Sequence, residues 1–100
     1  MSSPSITDSH CHLDFADFNE NLKETVENAL RSGVNRMVTI CTRLKDEPKV
    51  RGIAEKFESV LFAAGTHPMN AHKEPMLNVC DFLEMSKHPK FVGIGETGLD

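Results

Sequence analysis

Two imidazoles stand two residues apart near the start of the chain, in Asp8-Ser9-His10-Cys11-His12-Leu13-Asp14. Side chains alternate along a strand, so His10 and His12 share a face and can reach one ion, while Cys11 faces the other way. Two further polar clusters, Thr66-His67-Pro68-Met69-Asn70-Ala71-His72 and Gly95-Glu96-Thr97-Gly98, each follow an apolar run. Two imidazoles and the Glu96 carboxylate make a mixed nitrogen and oxygen set suited to Zn, Mn, Co or Ni and, with enough water and carboxylate, to Mg. A bridging carboxylate suits two divalent ions. Such a pair, about 3.5 to 4 Å apart, clamps the attacking and leaving oxygens of a phosphodiester and acidifies water, so no nucleophilic side chain is required.

Each of these residues also has a plainer reading. A strand end can carry two hydrogen-bonded histidines of no special use, and Glu96 can be a helix cap or a surface carboxylate. We expect His67 to contact substrate, or to stand behind the metal ligands, rather than to bind metal, because Pro68 follows it and no partner lies two residues away; otherwise it is structural. His72 and His88 read as loop and surface histidines. Asp14 can orient a ligand imidazole or cap a turn, Cys11 reads as a packed thiol, and Arg43 can meet a phosphate, although a lone loop arginine is usually solvated.

The elements that must position these groups alternate in type. Ile6 to His12 is a short strand. Leu22, Val26, Ala29 and Leu30 then recur on one helical face, with Asn21 and Glu24 at capping-box spacing and Gly33 as the stop. Arg36 to Thr42 is a β-branched apolar run, as a buried parallel strand should be. Pro48, in a first helical turn, leads the stripe Val50, Ile53, Ala54 and Phe57. Val60 to Gly65 is the third strand. A third helix is expected to open at Pro75, carry Leu77, Val79, Cys80, Phe82 and Leu83, and close before His88-Pro89. Lys90 to Gly95 is strand four, with Gly93 and Gly95 allowing close packing or a bend beside Glu96.

The order βαβαβαβ, with strands roughly 25 to 30 residues apart, is that of successive parallel units. No glycine-rich phosphate loop follows strand one, which disfavours the doubly wound nucleotide fold. The remaining α/β architecture is the (β/α)8 TIM-barrel type, in which the C-terminal ends of several strands converge on one site, so His10, His12, His67 and Glu96 can meet. Such a barrel takes about 250 residues. The chain of 100 residues therefore holds about its first four strands and three helices, and open strand edges and uncovered apolar surface are expected.

A content of 39% hydrophobic and 26% charged residues is that of an ordinary globular protein. The net charge of −4 argues against a broad electrostatic surface for nucleic acid, so any such contact must be local. Cys11, Cys41 and Cys80 are odd in number and lack metal-knuckle spacing, which fits a reducing, cytoplasmic setting. The first residues show no basic or apolar leader, and no run is long enough to span a membrane.

At DSHCHLD (8–14), GTHPMNAH (65–72) and VGIGETGLD (92–100) the chain resembles the TatD family of metal-dependent deoxyribonucleases, of the amidohydrolase-like superfamily. The resemblance extends over essentially all 100 residues, through segments such as MVTICTR. It implies a divalent-metal hydrolase cleaving DNA phosphodiesters, at single strands or 3′ ends. His10 and His12 would bind one ion, Glu96 would be shared between two, and His67 would lie in the substrate pocket, with Glu96 and His67 carrying catalysis. Many relatives have a histidine where this chain has Met69, and further ligands come from later strands. The competing readings are an amidohydrolase-like enzyme acting on a small amide, lactone or phosphotriester, and a catalytically inactive half-barrel that acts as an interaction module.

Overall fold

The computed structural model describes residues 5–75 and 78–98. Four strands, β1 (Ile6–Cys11), β2 (Val34–Ile40), β3 (Val60–Ala64) and β4 (Phe91–Ile94), alternate with three helices, α1 (Leu22–Arg31), α2 (Glu47–Lys56) and α3 (Val79–Met85). Short 3-10 turns at Ala16–Phe18, Leu44–Asp46 and Pro68–Asn70 follow the first three strands. All three strand pairings are parallel, and the strands lie in the order β1-β2-β3-β4. A doubly wound sheet reverses its strand order at a switch point; this sheet runs in one direction, as a barrel wall does.

One apolar layer explains the arrangement. Met37, Cys41, Val60, Phe62 and Ala64 turn one face of the sheet toward Val26 of α1 and Val50, Ile53 and Ala54 of α2. Met85 of α3 packs against the same cluster, so all three helices lie on that face. On the outer strands Ile6, Val92 and Ile94 are 52%, 53% and 59% exposed. β1 and β4 are the sheet edges, which is the open apolar surface expected of four barrel strands.

Element boundaries differ from expectation where local hydrogen bonding overrides pattern. No capping box forms at Asn21 and Glu24, because Asn21 has φ −120° and ψ 22° and its side chain accepts no cap bond. The box forms instead at α3. Asp81 N donates to Asn78 Oδ1 at 3.1 Å, and Asn78 N donates to Asp81 Oδ2 at 3.2 Å. The helix therefore opens after Asn78 rather than at Pro75; Leu77 lies outside the described residues, as do Leu99 and Asp100. Val79 and Leu83 of this helix are 73% and 59% exposed. β2 spans 34–40 rather than 36–42: its start pairs Val34 with Ile6, and beyond its end the Thr42 carbonyl accepts the His67 N–H and the Asn70 side chain.

Candidate metal centre

Three strand ends bring the site together. The pairing of β1 with β2 advances from Asp8 opposite Met37 to Cys11 opposite Thr39, so β1 carries an extra residue at Ser9–His10. Bulges of this kind re-aim side chains beside active sites. Asp8 Oδ1 accepts the His10 N–H within the bulge. Just beyond it, the buried Thr39 hydroxyl accepts the Leu13 N–H at 3.1 Å and fixes the chain leaving His12.

The geometry converges on one carboxylate. Glu96 Oε2 lies 3.2 Å from His10 Nε2 and 3.5 Å from His12 Nε2, while Oε1 lies 3.3 Å from His67 Nε2. His10, His12 and Glu96 each offer a ligand atom, and these atoms lie within 4.8 Å of one another. His10 is the more open imidazole and His12 the more enclosed, with side-chain exposures of 54% and 23%. The site is thus enclosed on the β2 side and open on the other.

The donor chemistry fits a cation. His12 Nδ1 lies 3.1 Å from the Ile40 carbonyl, which can only accept, so Nδ1 carries the proton. In the neutral ring Nε2 is then a lone pair facing a carboxylate oxygen, an arrangement a positive ion between them would relieve. This carbonyl, and not Asp14, orients the imidazole. Phe15 stacks on the same ring, with centroids 4.5 Å apart and planes 7° from parallel. His67 has the opposite tautomer: its Nδ1 accepts the Met69 N–H at 3.1 Å, so Nε2–H faces Glu96 Oε1. His67 therefore holds one carboxylate oxygen and leaves the other to the two imidazoles.

Gly65 lets Glu96 reach this position. A Cβ there would stand 2.5 Å from the Glu96 carbonyl oxygen and 3.0 Å from Gly95 C, whereas among the described residues nothing lies within 4 Å of a Cβ at Gly93 or Gly95. The close approach that sequence places in β4 is made by the end of β3.

Glu74 is a second residue that sequence reasoning passed over. It accepts the Leu44 and Lys45 N–H groups at 2.8 and 3.1 Å and the Thr66 hydroxyl at 3.0 Å, tying the His67 loop to the segment entering α2. Burial opposes its ionisation, yet the two backbone donors and Thr66 outweigh that and hold its carboxyl below the ordinary range. No local spacing announces a carboxylate that caps a turn 30 residues away.

The other polar residues are accounted for by packing. Burial pushes the Cys11 and Cys41 thiols up to about 12, and it also raises the Asp14 carboxyl. Cys11 Sγ donates to the Val38 carbonyl, as a packed thiol should. Arg43 pairs with Asp46 at 3.1 Å. His72 is exposed, while His88 lies against Glu55 at 3.0 Å and edge-on to Phe62.

A family model described as TatD related DNase matches residues 7–100. The chain belongs to this family. It is 34% identical over 99 residues to the uncharacterized metal-dependent hydrolase YcfH of Escherichia coli, covering 95% of this chain and 36% of that protein. A metal-dependent hydrolase of Buchnera aphidicola is 28% identical over 106 residues, covering 95% of this chain and 39% of the relative. The 3′-5′ ssDNA/RNA exonuclease TatD of Shigella flexneri is 27% identical over 89 residues, covering 89% of this chain and 34% of its own length. The crystal structure of the TatD homologue YjjV from E. coli superposes with a TM-score of 0.83 at 27% identity, covering 95% of this chain and 38% of that one. The fold is thus α/β of the TIM-barrel type, and the family is one of metal-dependent hydrolases. The chain spans well under half the length of these relatives.

Proposed function

We propose that residues 1–100 form the N-terminal part of a single TatD-type barrel in which His10, His12 and Glu96 hold divalent metal, and that the whole protein hydrolyses DNA phosphodiester bonds. The observation that carries the reading is the convergence of two imidazole Nε2 atoms on one oxygen of Glu96, at the strand ends where barrel enzymes place their chemistry. Similarity to the 3′-5′ ssDNA/RNA exonuclease of Shigella supports a single-stranded nucleic acid or a 3′ end as substrate.

In this reading the chain's own residues divide the work. The Ile40 carbonyl fixes the His12 tautomer, so its Nε2 stays available. His67 donates Nε2–H to Glu96 Oε1 and aims Oε2 at the imidazoles. Metal held there would supply a Lewis acid and acidify water near neutral pH; two ions suit the shared carboxylate.

The test is turnover by the full-length protein, loaded with Mg, Mn, Zn, Co or Ni, of single-stranded oligonucleotides against a small amide, a lactone and a phosphotriester. Metal-dependent shortening of the oligonucleotide is expected. Turnover confined to a small substrate would transfer the site to amidohydrolase-like chemistry, and no turnover with any metal would sink the reading.

A further inference from the structure

Beside the metal centre, a cleft of about 430 Å³ opens between the segments following β1 and β2. That size lies in the range of small-molecule sites. Its walls are Asp14 and Phe15 from the first segment, Thr42 and Arg43 from the second, and Asp46 and Lys49 from the turn into α2. Phe15 is common to cleft and metal centre: it stacks on His12 and is still 42% exposed.

The cleft has unused bonding capacity of a particular kind. Asp14 is only 8% exposed, and its Oδ1 is itself buried without a hydrogen-bond partner among the described residues. Arg43 gives its Nε–H to Asp46 Oδ2 at 3.1 Å, and among the described residues neither Nη group of this half-exposed guanidinium has a hydrogen-bond partner. Lys49 Nζ is engaged by the Asp14 carbonyl and Asn19 Oδ1, and it fixes the Asp14 loop against α2.

The charges decide what class of group fits. Arg43 and Lys49 face Asp14 and Asp46, two cations against two carboxylates, so the cleft has little net field for a phosphate. What remains is an aromatic wall, one Asp14 carboxylate oxygen without a donor and the Arg43 Nη groups without an acceptor among the described residues. A nucleobase bearing an exocyclic amino group beside a ring acceptor supplies both, and its flat face suits the aromatic wall; thymine has no amino group.

We propose that this cleft is a nucleobase subsite that accepts an amino-bearing base next to the scissile bond, with Asp14 accepting from the amino group and Arg43 donating to the ring acceptor. The assignment rests on the nucleic-acid reading above and adds a base preference to it.

Binding and turnover separate the two claims. Fluorescein-labelled oligo(dC) and oligo(dT) with hydrolysis-resistant phosphorothioate linkages are titrated with the full-length, metal-loaded protein, wild type and as Arg43→Gln and Asp14→Asn, and anisotropy gives the affinities. Wild type is expected to bind oligo(dC) about tenfold more tightly, and both variants to bring the ratio near one. The ratio reads only folded protein, since lost structure weakens both oligonucleotides alike. A wild-type ratio near one, or a ratio kept in both variants, overturns the subsite. So does a wild-type ratio near one combined with a loss of about 0.7 from the salt slope in Arg43→Gln, which would mark a phosphate contact. Hydrolysis of unmodified oligonucleotides runs in parallel: cleavage without base preference defeats the subsite alone, and no cleavage defeats the hydrolase reading and the subsite with it.

Discussion

Replacing Gly65 by alanine tests how the fold delivers Glu96. The new Cβ would stand 2.5 Å from the Glu96 carbonyl oxygen, 3.0 Å from Gly95 C and 3.1 Å from Thr97 Cγ2. A carbon to carbonyl-oxygen contact is comfortable at about 3.3 Å, so the start of the Glu96 segment must retreat by roughly 0.8 Å. It has little freedom to do so. Gly95 N donates to the Ala64 carbonyl at 3.0 Å and Glu96 N to the Cys41 carbonyl at 3.3 Å, and both bonds would stretch. Overpacking of this sort costs about 1–3 kcal/mol, and misplacing a catalytic group by about 1 Å can cost on the order of a hundredfold in rate. Gly65→Ala in the full-length protein is therefore expected to lower melting temperature and to cut metal-dependent turnover about a hundredfold. Gly52→Ala is the control, since Gly52 lies inside α2 and among the described residues nothing lies within 4 Å of its Cβ; it should hold or slightly raise stability. Wild-type turnover and melting temperature in Gly65→Ala would refute the reasoning.

Two further expectations follow from ionisation and burial. Because the folded-state pKa of Glu74 is depressed below 4.5, its contribution to stability is fully present above that value and is lost as pH falls through the folded pKa. Glu74→Gln should thus melt at a lower temperature than wild type at neutral pH, with the gap closing as pH falls through the depressed folded pKa; a gap that stays constant into the acid range would count against the ionised, hydrogen-bonded clamp. Cys41 is fully buried, with its thiol pushed up to about 12, whereas Cys80 is exposed. Iodoacetamide at mildly alkaline pH should label Cys80 and spare Cys41 in the native protein, as read by peptide mass. Equal labelling would show that the core opens readily.

Much of this geometry was legible in the chain because periodicity carries it. The stripe Val50, Ile53, Ala54 and the runs around Met37 and Phe62 are the core, and the polar clusters that close β1, β3 and β4 are the groups that meet. What periodicity cannot carry is contact between distant segments. Gly65 gives no sign in sequence that it receives the Glu96 backbone, and the glycines nearer Glu96 drew attention instead. Glu74 caps a turn from 30 residues away, and the Ile40 carbonyl orients His12 through a group that every residue has. The start of α3 was misplaced for a local reason: Pro75 is a good opener, but the reciprocal bonds of Asn78 and Asp81 are a better one.

The central claim is that His10, His12 and Glu96 bind metal. Metal content of the full-length protein, measured by inductively coupled plasma mass spectrometry for wild type and for His10→Ala/His12→Ala/Glu96→Ala, with circular dichroism to confirm that the variant stays folded, addresses it directly. Wild type is expected to retain divalent metal through gel filtration and the folded triple variant to lose it. Equal metal content in the two would contradict the account.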